Sequence, residues 1–137
     1  MIQTTRRLLV PLIACAIAAC GSDQTGPGPD TLAGTYQAVS VNGSPLPFTT
    51  NSGSILKTYT ITLRSDLTYD LAFTQTLPGG APSDVNDSGA YVYSASSGQL
   101  SFTGQQIPGT LHATVTDGGA TLTLASADVG YTIVLKR

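Results

Sequence analysis

The chain has 137 residues, 15 glycines, 8 prolines, two cysteines, no tryptophan and a formal net charge of −2 from six basic and eight acidic side chains. All eight acids are Asp and there is a single His, so no basic face exists for nucleic-acid phosphates and little material exists for a metal centre or a Ser-His-Asp arrangement. Beyond residue 33 about a hundred residues remain, enough for one domain and not two.

The chain opens with "MIQTTRR", in which Arg6 and Arg7 form a positive start, and continues with an apolar run from Leu8 to Ala19 interrupted only by Pro11. A helix crossing ~30 Å of hydrocarbon needs about 20 such residues, so this shorter run predicts a signal for export and not a retained span. Its end, Ile17-Ala18-Ala19-Cys20, resembles the bacterial lipobox, with small residues before a cysteine that becomes the lipidated first residue. The alternative is an ordinary signal peptide in which "AAC" is a chance match. The lipobox reading makes residues 1–19 a signal peptide, discards Cys15 with it, and leaves Cys20 alkylated, so that the mature chain has no disulfide. It implies a diacylglycerol on the Cys20 sulfur, often with a third chain on the new amino terminus. One acyl chain binds weakly, at about 0.8 kcal/mol per buried methylene, and two or more bind durably. The expected partner at this end is therefore the lipid bilayer, and Gly21 in place of Asp implies sorting to the outer membrane.

"GSDQTGPGPD" (21–30) is rich in residues that bury little surface, so residues 20–33 are read as the lipidated Cys and a flexible tether with a reach of roughly 20 Å. Without the signal segment, Lys57, Arg64, Lys136 and Arg137 stand against eight Asp, which leaves four basic and eight acidic side chains and a net charge of −4.

From Gly34 onward, period-two alternation recurs eight times, in 34–41, 55–63, 67–77, 89–95, 99–103, 109–116, 120–125 and 129–136. In the second run Tyr59, Ile61 and Leu63 alternate with Thr58, Thr60 and Thr62, and in the seventh Leu122 and Leu124 alternate with Thr121 and Thr123. One greasy and one hydroxylated face suit an antiparallel sheet with a single buried side. No helical pattern of ten residues intervenes, so neighbouring strands pair through short connections, and closure buries the apolar face and removes the edges. The expected fold over 34–137 is all-β, an antiparallel eight-stranded up-and-down β-barrel, with an open two-sheet sandwich as the alternative.

"LAGTYQAVSVNGSPLP", the meander and the terminal "GYTIVLKR" together resemble the lipocalin-like domains of small bacterial lipoproteins. In lipocalins a Gly-x-Trp opens the first strand and an Arg of the last strand packs over the ring. Here Gly34-Thr35-Tyr36 carries Tyr at that place, and Arg137 stands at the end of the last run. The resemblance implies Tyr36 and Arg137 as packing at the barrel base. Strand parity also brings Arg137 near Tyr36, where cation–π attraction is worth ~0.5–2 kcal/mol; the alternative is a solvated carboxy terminus.

The longer connections, 42–54, 78–88 and 104–108, follow alternate strands and gather at one rim, while 64–66, 96–98 and 117–119 gather at the rim where the chain enters. Rim loops on a rigid scaffold carry function, so the mouth remote from the tether is the expected working face. Leu46 and Phe48, set among prolines in "SPLPF", are expected either as a lid or as an exposed contact. Tyr59, Tyr69, Phe73, Tyr91 and Tyr93 are inward candidates, enough rings to make the interior narrow or filled. Leu46, Phe48, Tyr59, Phe73, Tyr91 and Tyr93 are the candidate ligand-binding residues. His112 shares parity with Thr110, Thr114 and Thr116 and belongs on the outer face. "DVNDSG" (84–89) resembles a calcium loop at its first positions but has Ala95 where a bidentate Glu is needed, so it is read as a turn without an ion. No catalytic residue, metal or cofactor is expected. The function expected is that of a membrane-tethered, non-enzymatic binding lipoprotein for a small apolar or amphipathic ligand; the alternative is a filled barrel that binds or inhibits a protein through its rim loops.

Overall fold

The computed structural model describes residues 26–137. The expected signal segment, Cys20 and the first part of the expected tether lie outside the described residues. Nine strands run in chain order: β1 Gly34–Val41, β2 Phe48–Thr49, β3 Ile55–Leu63, β4 Thr68–Thr76, β5 Pro82–Ser94, β6 Gln99–Gly104, β7 Thr110–Thr116, β8 Thr121–Leu124 and β9 Ile133–Lys136. Each strand from β3 to β9 pairs antiparallel with the next, and β1 pairs with both β3 and β9. These eight strands close an up-and-down barrel, to which two-residue β2 is added along the mouth end of β3.

Closure depends on β1 serving two partners. Its first half faces β3, from Gly34 opposite Leu63 to Gln37 opposite Thr60. Its second half faces β9, from Gln37 opposite Lys136 to Val41 opposite Ile133, with a bulge between Ala38 and Ser40. A bulge adds twist where a strand must bend between neighbours. A second bulge between Leu56 and Thr58 shifts the inward phase of β3, so Leu56 and Tyr59 are both buried.

The alternation read from the sequence places the apolar face inside: Ile61, Leu71, Leu122 and Ile133 are all buried, as are Tyr36, Tyr69, Tyr91 and Phe102. The outer face carries the threonines, with cross-strand hydroxyl pairs Thr58–Thr74 at 2.8 Å and Thr35–Thr62 at 3.2 Å. Such a core withdraws apolar surface at roughly 25 cal/mol per Å² while the hydroxyls keep the exterior wetted.

Three expectations need correction. The connection expected over 78–88 is a short turn at 77–81, and 82–88 belongs to the thirteen-residue strand β5, paired with β4 from Pro82 opposite Thr76 to Ser88 opposite Asp70. Its polar composition hid it, although Ser83, Val85 and Asp87 continue the inward parity of Tyr91. The last run, expected from 129, begins at Ile133; Ser126–Val129 form a single helical turn, α2, closed by Gly130 at φ +82°, a left-handed conformation that glycine adopts without steric cost. The tether, expected to run free to Ala33, is packed from Gly26: Pro29–Leu32 form the one-turn helix α1, and Leu32 is wholly buried.

Candidate functional site

The two ends of the barrel differ in what closes them. At the base, Leu32 plugs the opening and packs against Gly119, where an added Cβ would come within 3.2 Å of its side chain. The Tyr36 hydroxyl donates to the Gly119 carbonyl at 2.6 Å, with the Leu32 carbonyl also in reach at 2.8 Å. Arg137 donates to the carbonyls of Thr31 at 2.6 Å and Ala33 at 3.1 Å, and its guanidinium carbon stands 5.7 Å from the centre of the Tyr36 ring. Burial raises the Tyr36 phenol above its ordinary value and the nearby Arg137 charge lowers it, burial prevailing.

At the mouth lies a pocket of about 450 Å³. Tyr59 of β3 and Phe73 of β4, opposite each other in the ladder, stack with ring centres 5.4 Å apart and planes 5° from parallel. They line it together with Ile107 and Pro108 of the β6–β7 loop, Leu111 at the mouth end of β7, and Val129 and Tyr131 of the segment before β9. Its carboxylate is Asp128. This side chain exists at the rim because β8 pairs with β7 only from Ala113 onward, so residues 125–128 fold back along the free edge of β7. The Ala125 N–H donates to the His112 carbonyl at 3.1 Å, and the Asp128 Oδ2 accepts the His112 backbone N–H at 2.8 Å with the imidazole Nδ1 at 3.2 Å.

The β6–β7 loop that walls the pocket is held from below by Asp87, a carboxylate that is 5 % exposed. Its Oδ1 accepts the N–H groups of Gln105, Gln106 and Ser88, each at 2.9 Å, and its Oδ2 accepts the Tyr69 hydroxyl at 3.0 Å. Burial alone would raise this carboxyl, but the Gln106 N–H, the Tyr69 hydroxyl and the Gln105 and Ser88 N–H groups together prevail and hold it below the ordinary carboxylate range. Gly104 makes room for it: a Cβ there would stand 1.8 Å from Oδ2. Gly89, opposite Gly104 in the ladder, would put a Cβ 2.0 Å from the Thr103 carbonyl oxygen. Burial, the hydrogen bond to Asp87 and its negative charge all push the Tyr69 phenol up; burial first, then neighbouring Tyr131, Tyr69 and Asp87, do the same for Tyr59. Both phenols stay protonated donors at neutral pH.

Of the residues expected to bind a ligand, Tyr59 and Phe73 line the pocket. Leu46 and Phe48 are half-buried against the core, and Phe48 backs the pocket wall with its ring centre 5.9 Å from that of Tyr131. Tyr91 and Tyr93 do not line this pocket: β5 runs from mouth to base, which places both at the closed end. The Tyr91 hydroxyl donates to the Arg64 carbonyl at 2.7 Å in the β3–β4 turn, and Tyr93 lies beside Gly26. Asp84, Asn86 and Ser88, read as a turn, are exposed positions on the outer face of extended β5. His112 is exposed as expected, but its pairing with Asp128 was not foreseen. Sequence reasoning also missed Asp87, Ile107 and Tyr131 as parts of the mouth. Only parity pointed to Asp87, two positions before Gly89 and four before Tyr91. Among the described residues no three His, Cys, Asp or Glu side chains come together as a metal site.

Comparison with protein-family models, with curated proteins and with solved structures returns no match for this chain. The class that the structure defines is a closed, eight-stranded antiparallel barrel with a sealed base and a pocketed mouth.

Proposed function

We propose that this protein is a lipid-anchored, lipocalin-like barrel of the bacterial cell envelope that holds a small apolar or amphipathic ligand at its mouth and performs no chemistry on it. The observation that carries the reading is the aromatic and aliphatic pocket of about 450 Å³ at the rim opposite the point where the chain enters. That volume lies in the range of small-molecule sites, roughly 300–1,000 Å³, and the lining joins apolar surface to a few polar groups, as such sites require. Residues 26–33 pack at the base, so acyl chains on Cys20 would hold the base toward the bilayer and turn the mouth away from it. The interior below the pocket is filled by Tyr69, Tyr91, Phe102 and their aliphatic neighbours, which limits a ligand to the upper part of the barrel.

Native mass spectrometry of the mature protein extracted from membranes tests the reading. An acyl mass on Cys20 and a small adduct displaced by neutral amphiphiles are the expected results. A chain that carries neither, and takes up no amphiphile, overturns it. A second reading, a barrel that engages a protein through its rim, is favoured by exposed Ile55 and Leu77, neighbours at the mouth end of the β3–β4 ladder. Replacing both by Ser would then abolish binding of a protein partner while leaving small-molecule uptake unchanged.

A further inference from the structure

We infer that the mouth pocket selects amphiphiles with a cationic, ammonium-type head over those with a carboxylate. The inference rests on the reading of the mouth as a ligand site and adds the charge of what that site takes. Three aromatic rings, those of Tyr59, Phe73 and Tyr131, line the same space as one carboxylate, Asp128. Ring faces carry negative potential and attract an ammonium within about 6 Å, most strongly where water is excluded. Oδ2 of Asp128 is engaged by His112, whereas Oδ1 accepts no hydrogen bond from the described residues. That oxygen is the one charged acceptor the lining offers.

The cations lie elsewhere. Arg64 pairs with Asp70 beside the β3–β4 turn at the base, and Lys136 and Arg137 end β9 at the base. Lys57, at the mouth end of β3, is exposed and does not line the pocket. Asp87 adds a second negative charge beneath the pocket floor, shielded by its own donors. A carboxylate brought into this pocket would meet like charge, and no guanidinium or ammonium lines the pocket to pair with it. An ammonium group would meet a carboxylate and three rings, while its hydrocarbon covers Ile107, Leu111 and Val129.

Three probes with a common hexyl tail, hexyltrimethylammonium, 1-hexanol and hexanoate, separate head charge from tail burial. Each is titrated calorimetrically into the full chain in digitonin micelles, with protein-free micelles as the reference. The expected order is ammonium, alcohol, carboxylate, with the ammonium about tenfold tighter than hexanoate. Asp128→Asn keeps an acceptor for the His112 N–H and should bring the three affinities to within about threefold of one another. Tyr131→Leu keeps apolar area but removes a ring; it should weaken the ammonium and leave hexanol unchanged. Hexanoate binding as tightly as the ammonium, or an Asp128→Asn variant with unaltered preference, overturns the charge selectivity while the pocket remains a ligand site. If none of the three probes binds, the mouth is not a ligand site and both readings fall together.

Discussion

The base and the mouth of this barrel are made from the same strands and solve opposite problems. At the base, polar atoms seal: one phenol and one guanidinium satisfy carbonyls of the incoming chain and of the Asp117–Gly119 turn, over a leucine plug with no exposed surface. At the mouth, polar atoms prop: a buried carboxylate holds the β6–β7 loop by its N–H groups, and above it Phe73 and Tyr131 stay only half-covered. A closed barrel thus gains its stability at one end, where the Tyr36 and Arg137 donors meet backbone carbonyls, and keeps uncovered apolar area at the other. Substitutions should therefore unfold the protein from the waist and base, and change binding from the mouth.

The largest effect is expected at the waist that joins the two. Gly89→Ala would drive a Cβ to 2.0 Å from a backbone carbonyl oxygen that cannot move aside without breaking the β5–β6 ladder. A loss of more than about 4 kcal/mol is expected, with the cooperative thermal transition seen by tyrosine near-ultraviolet circular dichroism abolished. Leu32→Ala comes next. Removing a fully buried leucine that seals the base should cost about 2–4 kcal/mol in denaturant titration while leaving mouth binding intact once the protein is folded. A Leu32→Ala variant as stable as the parent would show that the base is not a stability element.

Asp87→Asn should cost about 1–2 kcal/mol at neutral pH, because bonds from N–H and O–H donors to a charged acceptor are stronger than those to an amide. Its pH dependence sharpens the contrast between the ends. The folded carboxyl is held below its unfolded value, so its contribution is complete above the ordinary carboxylate range and is lost as pH falls through the lower, folded value. Parent and Asp87→Asn stabilities should therefore converge in acid. Tyr36→Phe removes the donor to the Gly119 carbonyl at the base and should cost a similar ~1–1.5 kcal/mol, but by an amount that does not change between pH 3 and 8. On the alkaline side the raised phenols of Tyr59 and Tyr69 work in the opposite sense: stability present below the ordinary tyrosine range is lost as pH climbs above it.

The barrel and its seam were legible because period two is a strong signal wherever Thr alternates with Ile, Leu or Tyr, as in β3 and β8. The first half of β5 was not, because an inward Asp and two inward small residues, Ser83 and Gly89, break the apolar alternation that marks a strand. Asp87 looked like a turn residue because its donors arrive from the β6–β7 loop, 18 and 19 residues away, which no local pattern encodes. Tyr59 and Phe73 could be found as inward rings. Tyr91 and Tyr93 shared that pattern but lie at the other end, since alternation tells the face of a strand and not the height along it. Tyr131 is hidden for a third reason: the run from 129 reads as strand, whereas Gly130 turns it out of the sheet at the rim, and Asp128 falls in the short connection before that run, which carries no pattern of its own.

The smallest stability change is expected where the two regions meet inside the barrel, at Ile107. Its side chain lines the mouth pocket and also a small void of about 10 Å³ beneath it, bounded by Tyr69, Asp87, Phe102 and Leu111. Ile107 thus forms part of the floor that separates the pocket from the filled interior. It is only half-buried, so Ile107→Ala should cost roughly 1 kcal/mol or less of stability. The removed methyl and methylene groups would join the void to the pocket and deepen it, because Asp87 still fixes the loop backbone at Gln105 and Gln106, just before the change. Binding should then shift toward longer tails, an octyl probe gaining several-fold over its hexyl homologue relative to the parent, at about 0.8 kcal/mol for each methylene newly buried. An unchanged tail-length preference would place the floor lower than Ile107, and the division between a sealed base and a receptive mouth would have to be redrawn around Tyr69 and Phe102.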